Sequence, residues 1–182
     1  MSSKPDRNRA LAARVAAKAE IADVRILQST FALEKFPAGA QRLGWTLELE
    51  PATEFDAGDD HFVVSCRYIV TIDEAAEEDS SRTADSDGAV ARIEFTMAAL
   101  YELGYAESDS RPTAEEVTAF GASTGAFALY PYARAYAQDV STRLGLPPLT
   151  LSVHRVPISS PEEAVGEAPA APPGSILGQE DG

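Results

Sequence analysis

The chain has 182 residues, 45% of them apolar, with 29 acidic and 15 basic side chains and a formal charge of −14. That length suits one domain with a real core, while the acidity excludes the basic face that nucleic-acid phosphates require and disfavours an anionic membrane surface. The longest apolar runs, Met97–Tyr101 and Ala126–Tyr130, fall far short of the roughly 20 residues a membrane helix needs, so no membrane insertion is expected.

Arg14 and Lys18 interrupt the alanine-rich stretch 10–19, so no export signal is read there. A single cysteine, Cys66, cannot form an internal disulfide, and a cytoplasmic protein is expected. Apolar spacing predicts a helix over 7–22, with Leu11, Val15, Ala19 and Ala22 on one face. The first 20 residues carry five basic and two acidic groups, leaving the rest of the chain near −17; a solvated basic helix face is the ordinary reading.

Four strands follow. Residues 24–33 put Leu27, Phe31 and Leu33 on one side. Residues 45–50 alternate cleanly, Trp45, Leu47 and Leu49 against Thr46, Glu48 and Glu50. Residues 62–72 share a face of Phe62, Val64, Cys66, Tyr68, Val70 and Ile72, and 89–101 one of Ala91, Ile93, Phe95 and Met97. The acidic connections 51–60 and 73–88 lack the spacing of a calcium loop and read as solvated.

The period then becomes helical. Thr113-Ala-Glu-Glu116 matches a capping box, and Gly121 is expected to end the short helix it starts. A longer helix is predicted over 126–144, starting near Tyr130 or kinked at Pro131, and stopped by Gly145 and Pro147-Pro148. A short strand is expected within 149–156. Residues 1–6 read as a flexible lead, 7–156 as one domain, and 157–182 as a disordered acidic, Pro/Ala-rich tail.

Catalytic chemistry is scarce. His61 and His154 have no metal-ligand neighbours at helical spacing, and His61 and Cys66 lie on opposite faces of one strand. No phosphate loop or nucleophile elbow appears, so no enzyme activity, metal or cofactor is expected. Apolar surface is abundant instead. Phe127, Tyr130, Tyr132, Tyr136 and Val140 surround most of the long helix, more than one sheet can cover, which points to an oligomer interface.

The run Ala126-Phe-Ala-Leu-Tyr-Pro-Tyr-Ala-Arg134, then Asp139-Val-Ser-Thr-Arg143, then Gly145-Leu-Pro-Pro-Leu-Thr-Leu151 resembles the signature helix and following loop of the SecB protein-export chaperones. With the Ala/Arg-rich N-terminal helix, it resembles in particular the SecB-like chaperones that accompany mycobacterial toxin–antitoxin pairs. The resemblance spans about residues 21–156. It implies an α+β fold: a four-stranded antiparallel sheet backed by helices, assembled as a dimer of dimers. It implies an ATP-independent holdase for unfolded or presecretory chains, with handover to SecA or protection of an antitoxin. Trp45, Leu47, Leu49 and Leu146 then correspond to client-binding positions, and Glu34 and Glu94 to SecA contacts. Thr30 and Arg92 stand where the family has an acid and an apolar residue, and the amphipathic C-terminal helix of SecB has no counterpart after Pro157. A different function, stoichiometric inhibition of one folded partner, stays open from the sequence.

Overall fold

The structure is a computed structural model that describes residues 4–37, 42–74, 89–105 and 110–152. Helix α1 (Lys4–Ala16) precedes strands β1 (Ala19–Leu33), β2 (Leu43–Glu54), β3 (His61–Glu74) and β4 (Ala89–Leu103). Helix α2 (Ala114–Phe120) runs through a π-helical turn, Gly121–Gly125, directly into helix α3 (Ala126–Arg143). The strands form one antiparallel sheet in the order β1-β4-β3-β2, so β1 and β2 are its edges.

Because β1 pairs with β4 rather than β2, the β1–β2 connection must cross the end of the sheet. It starts tied to β4: the backbone N–H groups of Glu34 and Lys35 both donate to the Val90 carbonyl, at 2.8 and 3.3 Å. The Lys35 ammonium then reaches Glu74 at the end of β3, 3.1 Å away.

All three helices cover one face of the sheet. Period-2 alternation sends Phe62, Val64, Cys66, Tyr68, Val70 and Ile72 of β3 into the core, opposite Ile93, Phe95, Met97 and Tyr101 of β4. Aromatic rings order its interior. Phe62 stacks on Tyr101 at 5.0 Å, with Phe120 edge-on to both, and Tyr68 stacks on Phe95, which also meets Tyr136.

Several boundaries differ from the sequence expectation. The expected helix 7–22 stops at Ala16, because Ala19–Ala22 extend β1 alongside Tyr101–Leu103. β1 is bulged twice, between Ile21 and Asp23 and between Ile26 and Gln28. The second bulge takes Leu27 out of alternation, so Ile26, Ser29, Phe31 and Leu33 share the helix side instead. Gly121 does not end α2; the helix continues, and Gly121 and Gly125 instead let it approach Thr53 and Val64 closely. α3 starts at Ala126 with Pro131 inside it. Residues 149–152 form no strand, and the rest of that expected element lies outside the described residues, as do residues 1–3 and the tail 157–182.

The N-terminal helix is bound into the domain. Ala12 and Val15 are buried, and Arg14 pairs with Glu116 at 2.6 Å while Arg7 pairs with Glu115. Glu116, itself buried, also accepts the Thr113 backbone N–H at 2.8 Å, so one carboxylate completes the capping box and anchors α1.

The hydroxyl of Tyr101 is buried and makes no hydrogen bond among the described residues, and burial pushes its phenol up to about 12. An unpaired buried hydroxyl costs about 1–3 kcal/mol, so Tyr101→Phe leaves the urea midpoint unchanged or raises it, by up to about 1 kcal/mol of stability. A lowered midpoint would mean the hydroxyl has a partner.

Candidate functional site

On edge strand β2, Trp45, Leu47 and Leu49 alternate with Thr46, Glu48 and Glu50, and pair directly with Ile72, Val70 and Tyr68 of β3. Their side chains therefore lie on the helix side of the sheet. No further strand covers them among the described residues, so they remain half-buried. Two clefts open on this side of the strand, one near each end of the row.

The upper cleft, about 200 Å³, lies between Leu43, Trp45 and Ile72 on one wall and Leu146, Pro147, Pro148 and Leu149 on the other. The second wall is a short loop folded back against α3. Gly145 has φ +75°, a conformation that favours glycine. Beyond it the Leu146 N–H donates to the Ser141 carbonyl at 3.0 Å. The buried Ser141 hydroxyl accepts from the Leu149 N–H and donates to the Gln138 carbonyl, both at 2.9 Å. These bonds bury Leu146 in the wall of the cleft.

The lower cleft, about 130 Å³, is lined by Leu49, Pro51, Cys66, Tyr68, Ala122, Ala126 and Tyr130. Its polar groups are restrained. Tyr130 donates to the Ser152 carbonyl at 2.6 Å, whereas the Tyr68 hydroxyl has no hydrogen-bond partner among the described residues. The Cys66 thiol sits near Tyr68, and burial pushes it up, away from the reactive thiolate. His61 is on the opposite face of β3, exposed and 3.7 Å from Asp59, so Cys66 and His61 are not brought together. Among the described residues no group of three or more His, Cys, Asp or Glu side chains could hold a metal ion. The lower cleft is mostly apolar, while the upper one exposes polar and apolar surface in similar amounts.

Of the four sequence-assigned client positions, Trp45 and Leu146 line the upper cleft, Leu49 lines the lower one, and Leu47 lies between them on the same side of β2 and lines neither. Residues assigned to the oligomer interface divide. Phe127 and Tyr132 stay exposed, at 44% and 49%, while Tyr130 and Val140 are buried within the protomer. Tyr136 is half-buried and donates to the Ser29 hydroxyl at 2.7 Å. Glu34 is exposed. Glu94, on the outer face, is clamped by Arg67 at 2.6 Å and Arg92 at 3.4 Å, and hydrogen bonding from Arg67 holds its carboxyl below the usual range. Sequence reasoning missed Ser141 and the cleft role of Tyr130. A polar residue in a helix carries no signal for the loop it will hold eight residues later.

No family model matches the chain. It is 44% identical over 146 residues to the SecB-like chaperone Rv1957 of Mycobacterium tuberculosis strain H37Rv, covering 78% of this chain and 80% of that protein. The chain belongs to the SecB-like chaperones. The same identity over the same length relates it to the SecB-like chaperone MT2006 of Mycobacterium tuberculosis strain CDC 1551. A solved structure of Rv1957, in complex with a ChAD peptide from the HigA1 antitoxin, superposes with a TM-score of 0.69 at 39% identity. The match covers 82% of this chain and 99% of that one. The four-stranded antiparallel sheet, the helix after the strands and the N-terminal helix are the fold this SecB-like chaperone is expected to have. No helix among the described residues is long and apolar enough to cross a membrane.

Proposed function

We propose that this SecB-like chaperone holds unfolded polypeptides in the groove along β2, without ATP, cofactor or catalysis, and that its clients include an antitoxin. The observation that carries the reading is the apolar row Trp45, Leu47 and Leu49 on the helix side of edge strand β2, with a cleft at each end, one lined by Trp45 and Leu146 and the other by Leu49. Leucine, proline and aromatic side chains along both clefts suit weak, sequence-tolerant binding. The relative Rv1957, solved with an antitoxin peptide, supports a short segment of an antitoxin as one occupant. The test is light scattering as a chemically unfolded, unrelated protein is diluted into buffer with this chain and no ATP. Suppression near one assembly per client is expected. Normal aggregation would leave a dedicated chaperone or a stoichiometric inhibitor of one folded partner.

The reading favours an antitoxin client over handover to SecA. Of the two acidic positions assigned to SecA, Glu94 is neutralised by two guanidinium groups, which leaves Glu34 alone to meet a basic partner. The proposed setting is the cytoplasm, and the proposed assembly a homotetramer. Exposed Phe127 and Tyr132 on α3, with Ile26 and Phe31 on β1, supply apolar surface for contacts between copies. Tyr132→Asp is expected to lower the mass seen by light scattering, because a carboxylate buried at an interface without a partner costs several kcal/mol. Its exposure predicts an unchanged fold by circular dichroism; an unchanged mass would remove Tyr132 from the interface.

A further inference from the structure

A third cleft lies between α3 and the loop that follows it. It measures about 210 Å³, with Pro131, Arg134 and Gln138 of the helix on one side and Leu149, Thr150 and Leu151 of the loop on the other. Leu149 and Thr150 also line the upper cleft, so the loop is a wall shared by the two.

Arg134 is the charged group of this cleft. It is half-buried and makes no hydrogen bond or ion pair among the described residues. The other arginines described are either matched to a carboxylate, as Arg14, Arg67 and Arg143 are, or exposed, as Arg9 and Arg42 are. The one carboxylate of α3, Asp139, is already bound to Arg143 at 2.9 Å. A guanidinium drawn partly out of water without a partner carries a desolvation cost that an incoming carboxylate offsets.

The chain itself supplies such a carboxylate. Tyr130, one helical turn before Arg134, donates to the Ser152 carbonyl at 2.6 Å, so the chain passes into residues 153–182 beside this arginine. Burial raises the Tyr130 phenol and the Arg134 charge opposes that rise, which fits a guanidinium close to the hydroxyl. From Pro157 onward the sequence has five acidic side chains and no lysine or arginine. Its first acids, Glu162 and Glu163, follow Ser152 by ten and eleven residues, a reach of up to about 33 Å. Ala164 and Val165 come next and match the apolar lining of the cleft.

We propose that residues 161–167 dock in this cleft of their own chain, with Glu162 or Glu163 paired to Arg134 and Val165 against Pro131 and Leu151. Because the segment is tethered, its effective concentration is of millimolar order, and a weak contact is enough to hold it there. Docked, it braces Leu149 and Thr150 and with them the wall of the upper cleft. The docking stands without the client-binding reading; only its consequence at the upper cleft rests on that reading.

The test is hydrogen exchange of the full-length chain at the Leu149 amide, with no client present. This N–H is held by the Ser141 hydroxyl, so its exchange reports opening of the loop. Glu162→Gln combined with Glu163→Gln is expected to speed exchange about tenfold. Glu180→Gln combined with Asp181→Asn, which removes the same charge further along the chain, is expected to leave it unchanged. Arg134→Ala is expected to match the first pair, and adding that pair to Arg134→Ala to have no further effect. Unchanged exchange in the Glu162 and Glu163 variant would overturn the docking. Equal acceleration by both tail variants would also overturn it, reducing the effect to net charge. Acceleration by Arg134→Ala alone would overturn it and assign the guanidinium to a second copy of the chain or to an acidic partner.

Discussion

Gly121→Ala is expected to destabilise the domain by about 2 kcal/mol, although in most helices the same change stabilises by roughly 1 kcal/mol. A methyl group at this position would lie 1.9 Å from Thr53 Oγ1, 3.2 Å from its Cβ and 3.4 Å from its Cγ2. Rotating the threonine about its Cα–Cβ bond turns its other γ substituent toward the new methyl, because the side chain is β-branched and its Cβ position is fixed by the β2 backbone. The π-helical turn and β2 must therefore separate. Trimming the obstacle removes most of the cost: Gly121→Ala combined with Thr53→Ala, which keeps only the 3.2 Å contact with Cβ, is expected to recover to within about 1 kcal/mol of the native protein. Urea unfolding of the two single variants and the double variant measures the coupling. A Gly121→Ala protein as stable as the native one would mean that the joint has slack. The same contact bears on function, since the helix side of the lower cleft, Ala122 and Ala126, is set against Leu49 and Pro51 by this close approach.

What was legible in the sequence follows the physics of each segment. The alternation of Trp45, Leu47 and Leu49 survives because β2 has one covered and one open face, so period 2 reports burial directly. β3 and β4 were legible for the same reason. β1 was not, because a bulge adds a residue without changing composition, and nothing at Leu27 announces it. The helix expected over 7–22 overran because Ala19-Glu-Ile-Ala22 suits a helix locally, whereas pairing with β4 settles its conformation. Gly121 resembled a helix stop, yet here the glycine serves close packing against a strand some seventy residues earlier, and spacing cannot distinguish the two uses. The groove itself was half legible. Its strand wall could be read from alternation, but the opposite wall needs the loop after α3, turned at Gly145 and held by Ser141 and Tyr130 of α3 itself. The 126–151 motif identified the family without showing which of its aromatic residues face outward. Tyr130, assigned by pattern to an interface, is buried within the protomer and lines the lower cleft.

The largest functional effect is expected at Leu47, midway between the clefts. Leu47→Asp would put a carboxylate between Trp45 and Leu49 on the helix side of β2, where the proposed client lies. A bound apolar residue would desolvate that charge without pairing it, costing several kcal/mol, so client affinity is expected to fall more than 100-fold and holding activity to vanish. Shape and charge separate through two companions. Leu47→Asn keeps the volume without the charge and is expected to lose about tenfold, while Leu47→Met, apolar and flexible, keeps near-native affinity. Because Leu47 is half-buried against Val70, part of the Asp effect falls on stability; melting curves of all three proteins measure that part independently of client binding. A well-folded Leu47→Asp protein that still suppresses aggregation would show that clients bind elsewhere. The exposed apolar residues of β1 and α3 would then be the surface to test, with Phe31 and Phe127 the first substitutions.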